Sequence, residues 1–278
     1  MRTEFKLVDP YEHELHTYLW EPKGRPRGVV QIIHGAGEHV GRYDHFAQFL
    51  VSLGLVVIGN DQLGHGKNNE DKDNIYFAET IGFHKLYEGV KTVRDYIEEN
   101  YPKLPVIMFA HSMGSFIGRY TILYDHKRYD QAVFSGTALA NPAKTTFARS
   151  VGAILAKLKG ADTVSPYFND KVLGKHIKSM YNRGFINKRI EWITQDKSIQ
   201  QAVLNDPLCN KPFTIQAQLD ILSIFSEIQN KKRIELSASS TAIYFISGDL
   251  DALGHYGNDA KELFDIYQSC GYSNVKYS

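Results

Sequence analysis

The stretch that decides the fold runs Val106-Ile107-Met108-Phe109-Ala110-His111-Ser112-Met113-Gly114-Ser115. Its first half is an apolar run typical of a buried strand, and small residues flank the corner at Ser112. A helical pattern follows at once, carried by Phe116, Ile117, Tyr120, Ile122 and Leu123. A strand, a sharp turn and a helix in this order lift a serine hydroxyl above a sheet edge, so we predict that Ser112 is a nucleophile.

Short apolar runs alternate with helical patterns on both sides of this corner. Buried strands are predicted at 28–33, 55–58, 132–135 and 241–246, and a final strand at about 274–277. Helices are predicted from about residue 44 to 53, 83 to 100 and 259 to 269. Residues 5–20 alternate polar and apolar around the Asp9-Pro10 turn, which indicates an antiparallel strand pair. Strands that alternate with helices of this length predict an α/β fold with a mostly parallel, doubly wound sheet.

The alternation stops after Pro142, where residues 143–235 show helical patterns only. We therefore predict a first core segment at 1–142, an inserted helical cap or lid at 143–235, and a second core segment at 236–278. One apolar stripe of the cap consists of Phe147, Val151, Ile154, Leu155 and Leu158. We expect this stripe to pack on the core or on the rest of the cap. The alternative is a lid surface that lines an acyl pocket or makes transient contact with a membrane surface.

Composition excludes several classes of protein. The net charge is +1 and no Lys/Arg block alternates with aromatic residues, so we expect no nucleic-acid partner. Cys209 and Cys270 lie far apart and show no metal-ligand spacing, so we expect a reducing compartment, no metal and no cofactor. The first residues lack an apolar signal region and no stretch approaches the ~20 apolar residues of a membrane span, which makes the cytoplasm the expected location.

A second motif follows the strand at 28–33 and reads His34-Gly35-Ala36-Gly37-Glu38-His39-Val40-Gly41-Arg42-Tyr43. Attack of a serine on an ester carbonyl produces an oxyanion, which preorganised backbone N–H groups must stabilise. One donor follows the nucleophile, and the other lies on the loop after this strand. We therefore predict that Met113 N–H and Ala36 N–H form the oxyanion hole.

The same loop admits a dinucleotide-binding interpretation. Gly35, Gly37 and Gly41 follow a strand, and Asp61 closes the next strand about 20 residues later. The glycine spacing differs by one residue from the fingerprint, and the corner at Ser112 would have no role. We rank a dinucleotide-dependent enzyme below a serine hydrolase.

The acid and the base of a catalytic triad should follow Ser112 in chain order. A carboxylate after the strand at 241–246 lies where the acid belongs, with Asp251 preferred and Asp249 the alternative. The histidine should follow the last strand, but the last histidine of the sequence, His255, precedes the final helix and strand. We expect His65 and His111 to be structural neighbours of the site and not general bases.

Three motifs together resemble those of monoacylglycerol lipases and bacterial lysophospholipase-like α/β-hydrolases. They are residues 34–43, Asp61-x-x-Gly64-His65-Gly66 and His111-Ser112-Met113-Gly114, and the cap segments 192–196 and 205–209 are similar to the family as well. The resemblance covers nearly the whole chain. It implies an α/β-hydrolase fold with a helical cap and a serine ester hydrolase acting on small acylglycerols or lysophospholipids. It also implies that Ser112 is the nucleophile, Asp251 the acid, and Ala36 and Met113 the oxyanion donors.

Two positions depart from the family pattern. Ala110 stands where glycine is usual, and the family's Gly-x-x-His segment would begin directly after Tyr277-Ser278. We therefore expect the parent protein to continue for roughly 20–30 residues that carry the base, by analogy with the usual ending of the fold. Without that histidine we expect severely impaired catalysis. The alternative function is a catalytically impaired, hydrolase-like binding protein.

Overall fold

The computed structural model describes residues 2–170 and 174–278. Within them the strands are Arg2–Val8 (β1), Glu14–Trp20 (β2), Gly28–Ile33 (β3), Leu55–Asn60 (β4), Val106–His111 (β5), Gln131–Ser135 (β6), Ala242–Ile246 (β7) and Val275–Tyr277 (β8). The α-helices are Asp44–Ser52 (α1), Gly82–Asn100 (α2), Met113–Asp125 (α3), Pro142–Lys159 (α4), Pro166–Asn169 (α5), Lys175–Asn182 (α6), Lys197–Asn205 (α7), Ile215–Ile228 (α8), Lys231–Leu236 (α9) and Asn258–Ser269 (α10).

The strands form one sheet in the order β1-β2-β4-β3-β5-β6-β7-β8. The pairs β1–β2 and β2–β4 are antiparallel, and every other neighbouring pair is parallel. The expected antiparallel pair at the start of the chain and the mostly parallel, doubly wound sheet are both confirmed.

The strand order reverses at β3. From β3 the chain moves outward to β4 on one side and then returns to β5 on the other side. Loops that leave β3 and β5 diverge at this switch point and open a crevice at the carboxyl ends of the two strands. The motif at 34–43 and the corner at Ser112 leave these two strand ends, so the topology brings the two motifs together.

Helices cover the two faces of the sheet unequally. All six residues of β3 are buried, as expected for a strand covered on both faces. The larger hydrophobic core joins β3–β7 to α2, α3, α8 and α10, whereas a smaller core on the opposite face is closed by α1. Alternate residues of β5 are only partly buried, so its two faces are covered to different extents.

The cap helix α4 corrects one expectation. Its stripe does not pack as a whole, because Phe147, Ile154 and Leu158 are 72%, 59% and 75% exposed. The face that packs is instead the small one, where Gly152 lies against the side chains of Leu219 of α8 and Phe168. A small residue lets two helices approach closely, so the bulky residues of α4 point away from the contact.

Helix α8 falls inside the range predicted for the cap but contacts both parts of the molecule. It packs against α4 and against α3, and the rings of Phe225 and Phe116 lie 4.7 Å apart. The division at 142 and 235 therefore stays a prediction. Among the helices of the described residues, none has both the length and the apolar character that a membrane span needs.

Candidate active site

Ser112 occupies a strained turn between β5 and α3. Its backbone angles are φ 52° and ψ −120°, a conformation that L-residues with side chains rarely adopt. Two hydrogen bonds fix the turn: Ser112 N–H donates to the Ser135 carbonyl at 2.8 Å, and Ser115 N–H donates to the Ser112 carbonyl at 2.8 Å. The serine is thus held at the sheet edge by β6 on one side and by the first turn of α3 on the other.

Gly114 lets the turn pack against the end of β3. A Cβ at this position would lie 2.2 Å from the Ile33 carbonyl oxygen and 2.5 Å from that of His34. Both atoms belong to the backbone, so no side-chain movement could make room. Ala110, by contrast, is fully buried with its methyl group accommodated, so its departure from glycine leaves the corner intact.

The loop after β3 is shaped by Glu38. One carboxylate oxygen accepts from Gly35 N–H at 2.6 Å and from the Tyr43 hydroxyl at 2.7 Å, and the other pairs with Arg42. This arrangement leaves Ala36 exposed at the cleft. The Glu38 carboxylate also occupies the Gly35 N–H that a dinucleotide pyrophosphate would need as a donor, which favours the hydrolase interpretation over the dinucleotide one.

The Asp61 motif supports this loop from below. The Asp61 carboxylate accepts from Val40 N–H at 2.9 Å and from Lys67 N–H at 2.8 Å. Burial raises the pKa of this carboxyl group, and the two N–H donors oppose the rise. Gly66, at φ +52°, is required because its Cβ would lie 2.1 Å from an Asp61 oxygen. The Asp61 motif therefore stabilises the loop at residues 34–43 and does not form a ribose site.

Asp251 lies on the loop after β7 and lines the same cavity as Ser112. Its Oδ1 accepts from Leu253 N–H at 2.9 Å. A Cβ on Gly136 would lie 3.9 Å from Asp251 Oδ2 and 3.4 Å from the ring of His111, so these three residues are close neighbours. Asp249 also lines the cavity but is exposed, whereas Asp251 is partly buried.

Two cavities, of about 460 and 690 Å³, meet at Ser112. The residues that line both are Ala36, Gly37, Ser112, Trp192, Ile193 and Asn210. The last three lie between β6 and β7, in or beside the segments 192–196 and 205–209 that resemble the family. No local pattern distinguishes these three residues as cleft residues, because only the folding of the cap brings them over Ser112.

The histidines near the cleft have other partners. His111 lines the cavity, and its Nδ1 lies 3.3 Å from the Ser135 hydroxyl. His65 is buried and its Nδ1 bonds the Leu63 carbonyl, and burial lowers its pKa to about 3. His255 pairs with Asp259 at 2.8 Å. Across residues 2–170 and 174–278, none of these rings bonds the Ser112 hydroxyl or the Asp251 carboxylate.

A family description, serine aminopeptidase S33, matches residues 24–277. The chain belongs to this family of α/β-hydrolases. The predicted α/β-hydrolase fold is confirmed by a thermostable carboxyl esterase from Bacillus coagulans, solved in complex with glycerol. That structure has a TM-score of 0.90 and 26% identity, and the match covers 100% of this chain and 89% of the esterase.

Several curated relatives are named monoglyceride or monoacylglycerol lipases. The human monoglyceride lipase is 32% identical over 153 residues, which are 55% of this chain and 49% of the relative. The monkeypox virus monoglyceride lipase homolog is 41% identical over 113 residues, or 41% of this chain and 38% of the relative. The chain spans about half the length of the curated relatives that it matches. The resemblance to monoacylglycerol lipases that the motifs indicated is confirmed.

Proposed function

We propose that this protein hydrolyses acyl esters of small lipids, of the monoacylglycerol or lysophospholipid type, through an acyl-enzyme on Ser112. The observation that carries the proposal is the strained turn at Ser112, which opens into a cleft walled by the loop of Ala36. The names of the relatives support an ester as the substrate class.

In the proposed reaction, Ser112 Oγ attacks the ester carbonyl carbon. The carbonyl oxygen becomes an oxyanion that accepts hydrogen bonds from Ala36 N–H and Met113 N–H. Within the described residues, neither N–H donates to another protein group, so both are free to bind an oxyanion. Collapse of the intermediate expels the alcohol and leaves the acyl group on Ser112, and water then releases the fatty acid.

A general base must take the proton from Ser112 and be oriented by Asp251. The described residues bring no histidine into hydrogen-bond contact with either side chain. This observation favours a second candidate function, a catalytically impaired binding protein that holds lipid esters in the same cleft. The two candidates differ in turnover and not in ligand class.

Turnover of a monoacylglycerol and of a p-nitrophenyl ester separates the candidates. Both rates are measured on residues 1–278 and on the complete product of the reading frame. Each form is compared with its Ser112→Ala variant. The matched control is Ser52→Ala, which changes an exposed serine of α1. In a form that turns the ester over, we expect Ser112→Ala to lose at least about a thousandfold in rate and Ser52→Ala to lose nothing. Equal rates for Ser112→Ala and the unmodified protein would reject the hydrolase. Ester binding without turnover in every form would support the binding protein.

We also propose that α4 makes transient contact with an anionic lipid surface. Phe147, Ile154 and Leu158 project from one side of the helix and are largely exposed. The helix carries Lys144, Arg149, Lys157 and Lys159 and no acidic residue. Exposed apolar side chains together with basic residues suit an interface of acidic lipid headgroups. Such a contact would deliver the cap and the cleft to a membrane-borne substrate.

A further inference from the structure

A second group of polar side chains lies where the loop after α7 meets the loop of Ala36. His39, Asp206 and Cys209 each offer one donor atom, and these atoms all lie within 4.8 Å of one another. His39 Nε2 is 2.8 Å from Asp206 Oδ2. His39 and Cys209 are buried, while Asp206 and Cys209 also line the larger cavity. The group is therefore shielded from bulk water but accessible from the cleft.

The three donors match one kind of cation. An imidazole nitrogen, a thiolate sulfur and a carboxylate oxygen are the ligands that Zn²⁺ takes, whereas Mg²⁺ and Ca²⁺ prefer oxygen alone. Tetrahedral zinc at its usual bond lengths separates such donors by about 3.3–3.6 Å. The distance of 2.8 Å between His39 Nε2 and Asp206 Oδ2 must therefore widen by roughly half an ångström when the cation enters.

The remaining hydrogen bonds leave the donors available. Asp206 Oδ1 accepts from Leu208 N–H at 2.9 Å, so Oδ2 is the oxygen that faces His39. His39 Nδ1 is buried and has no partner among the described residues. When a cation takes Nε2, a proton on the ring sits at Nδ1, where no hydrogen bond is broken. Cys209 N–H donates to the Asp206 carbonyl at 3.1 Å, which holds these two ligands in one turn.

We propose that His39, Asp206 and Cys209 bind Zn²⁺, with a water from the cleft as the fourth ligand. The cation would join the cap to the loop that carries Ala36, where Asn210 N–H already donates to the Gly37 carbonyl at 2.8 Å. This site goes beyond the proposed hydrolysis, and its existence does not depend on that function.

Binding must release a proton. Burial and then the charge of Asp206 raise the pKa of the Cys209 thiol to about 12, with Glu38 raising it further and Arg42 opposing. The thiol is therefore protonated near neutral pH, and zinc binding breaks its S–H bond, forms a Zn–S bond and passes one proton to the buffer.

Co²⁺ is the probe, because a cobalt-bound thiolate gives a charge-transfer band in the near ultraviolet. The titration is made on the unmodified chain, on Cys209→Ser and on Cys270→Ser, which removes the other buried, unpaired cysteine. We expect the band in the unmodified chain and in Cys270→Ser, its loss in Cys209→Ser, and its displacement by Zn²⁺. His39→Ala and Asp206→Asn should each bind at least about tenfold more weakly.

A second measurement covers the case in which a variant is poorly folded. Circular dichroism checks the fold, and Zn²⁺ should raise the melting temperature of the unmodified chain and of Cys270→Ser but not that of Cys209→Ser. The proposal is overturned by the absence of a band, by a band that persists in Cys209→Ser, or by equal Zn²⁺ stabilisation of all three proteins.

Discussion

At Ser112 a single residue carries backbone strain that its neighbours must hold in place. The φ of 52° is sustained by hydrogen bonds to β6 and α3 and by the close fit of Gly114 against the end of β3. Strain of this kind costs about 1–3 kcal/mol and persists only where the surroundings over-determine it. The turn should therefore respond strongly to any change in this packing.

Gly114→Ala should test that dependence. The added methyl group meets two backbone carbonyls, so we expect unfolding to become easier by about 2–3 kcal/mol. Urea denaturation followed by circular dichroism measures the change. Gly24→Ala is the control, because nothing lies within 4 Å of its Cβ position. A Gly114→Ala protein as stable as the Gly24→Ala protein would contradict the close fit.

The two acids after β7 differ in surroundings, and this difference predicts different roles. Asp251 is partly buried beside Gly136 and His111, whereas Asp249 is exposed. If the proposed hydrolysis holds, Asp251→Asn should lower the rate by about 10³–10⁴-fold, because an amide neither orients nor stabilises an imidazolium. Asp249→Asn, measured with the same ester, should stay within a few-fold of the unmodified rate. The reverse ranking would make Asp249 the acid.

Residues of the candidate site differ in how far sequence could predict them. Ser112, Ala36 and Asp251 follow strand ends, so local patterns were enough to bring them to one cleft. The group of His39, Asp206 and Cys209 escaped prediction because 167 residues separate His39 from Asp206. Only the folded cap brings those ligands together, and cysteine spacing alone indicated no metal.

At the scale of one element, α4 shows why periodicity does not determine which face is buried. Its bulky stripe and its small face both recur at helical spacing, so either pattern fits an amphipathic helix. The face with Gly152 packs because Leu219 and Phe168 approach it closely, and this requires knowledge of the partner helix. Sequence predicted the helix correctly but the wrong packing for Phe147, Ile154 and Leu158.

The proposed lipid contact of α4 can be tested with a matched pair of variants. Leu158 on α4 and Leu236 on α9 are both 75% exposed. We expect Leu158→Ser to weaken flotation with vesicles of phosphatidylcholine and phosphatidylserine several-fold, since a branched apolar side chain is lost from the interface. Leu236→Ser should float like the unmodified protein. Equal losses in both variants, or binding that ignores phosphatidylserine, would contradict a basic apolar contact at α4.

At the scale of the whole molecule, alternating strands and helices made the sheet predictable. The strands β3 to β7 are recognisable from their own apolar runs, and their parallel arrangement follows from the connecting helices. The packing of α8 was less predictable, because this helix contacts α3 as well as α4. Such contacts join residues far apart in sequence and leave no local signal.

Buried ionisable groups predict how the stability of the whole fold changes with pH. Burial lowers the pKa of His34 and of His65 from 6.5 to about 3. Below pH 6.5 the unfolded chain takes up these protons first, so the folded state loses stability as pH falls towards 3. Burial raises the pKa of Asp220 from 3.8 to about 6. Between pH 6 and 3.8 the folded chain therefore takes up this proton first, so this group makes the folded state more stable as pH falls. The two histidines together outweigh Asp220 by one proton from pH 6 to 4, so these three groups by themselves contribute a loss of about 1.4 kcal/mol per pH unit.

The Asp220→Asn variant separates the contribution of Asp220 to the pH dependence of stability from that of the two histidines. Its carboxylate is ionised and buried at pH 8, so the amide should increase stability there by on the order of 2–3 kcal/mol. The same variant should lose stability more steeply between pH 6 and 4, because only the histidine contributions remain. Urea denaturation of both proteins at pH 8, 6 and 4 gives the two curves. Parallel curves would show that Asp220 titrates alike in the folded and unfolded chains.

The positions of the two tryptophans give the cleft an optical reporter. Trp20 is buried in the smaller core, stacked on Tyr18 and bonded to Asp44, so its surroundings stay constant when the cleft fills. Trp192 lines both cavities beside Ser112. With only two tryptophans in the chain, a change in tryptophan fluorescence, excited selectively over tyrosine, on adding a lipid ester is assigned to Trp192. Occupancy of the cleft can thus be followed in real time without attaching a dye, whether or not the protein turns the ester over.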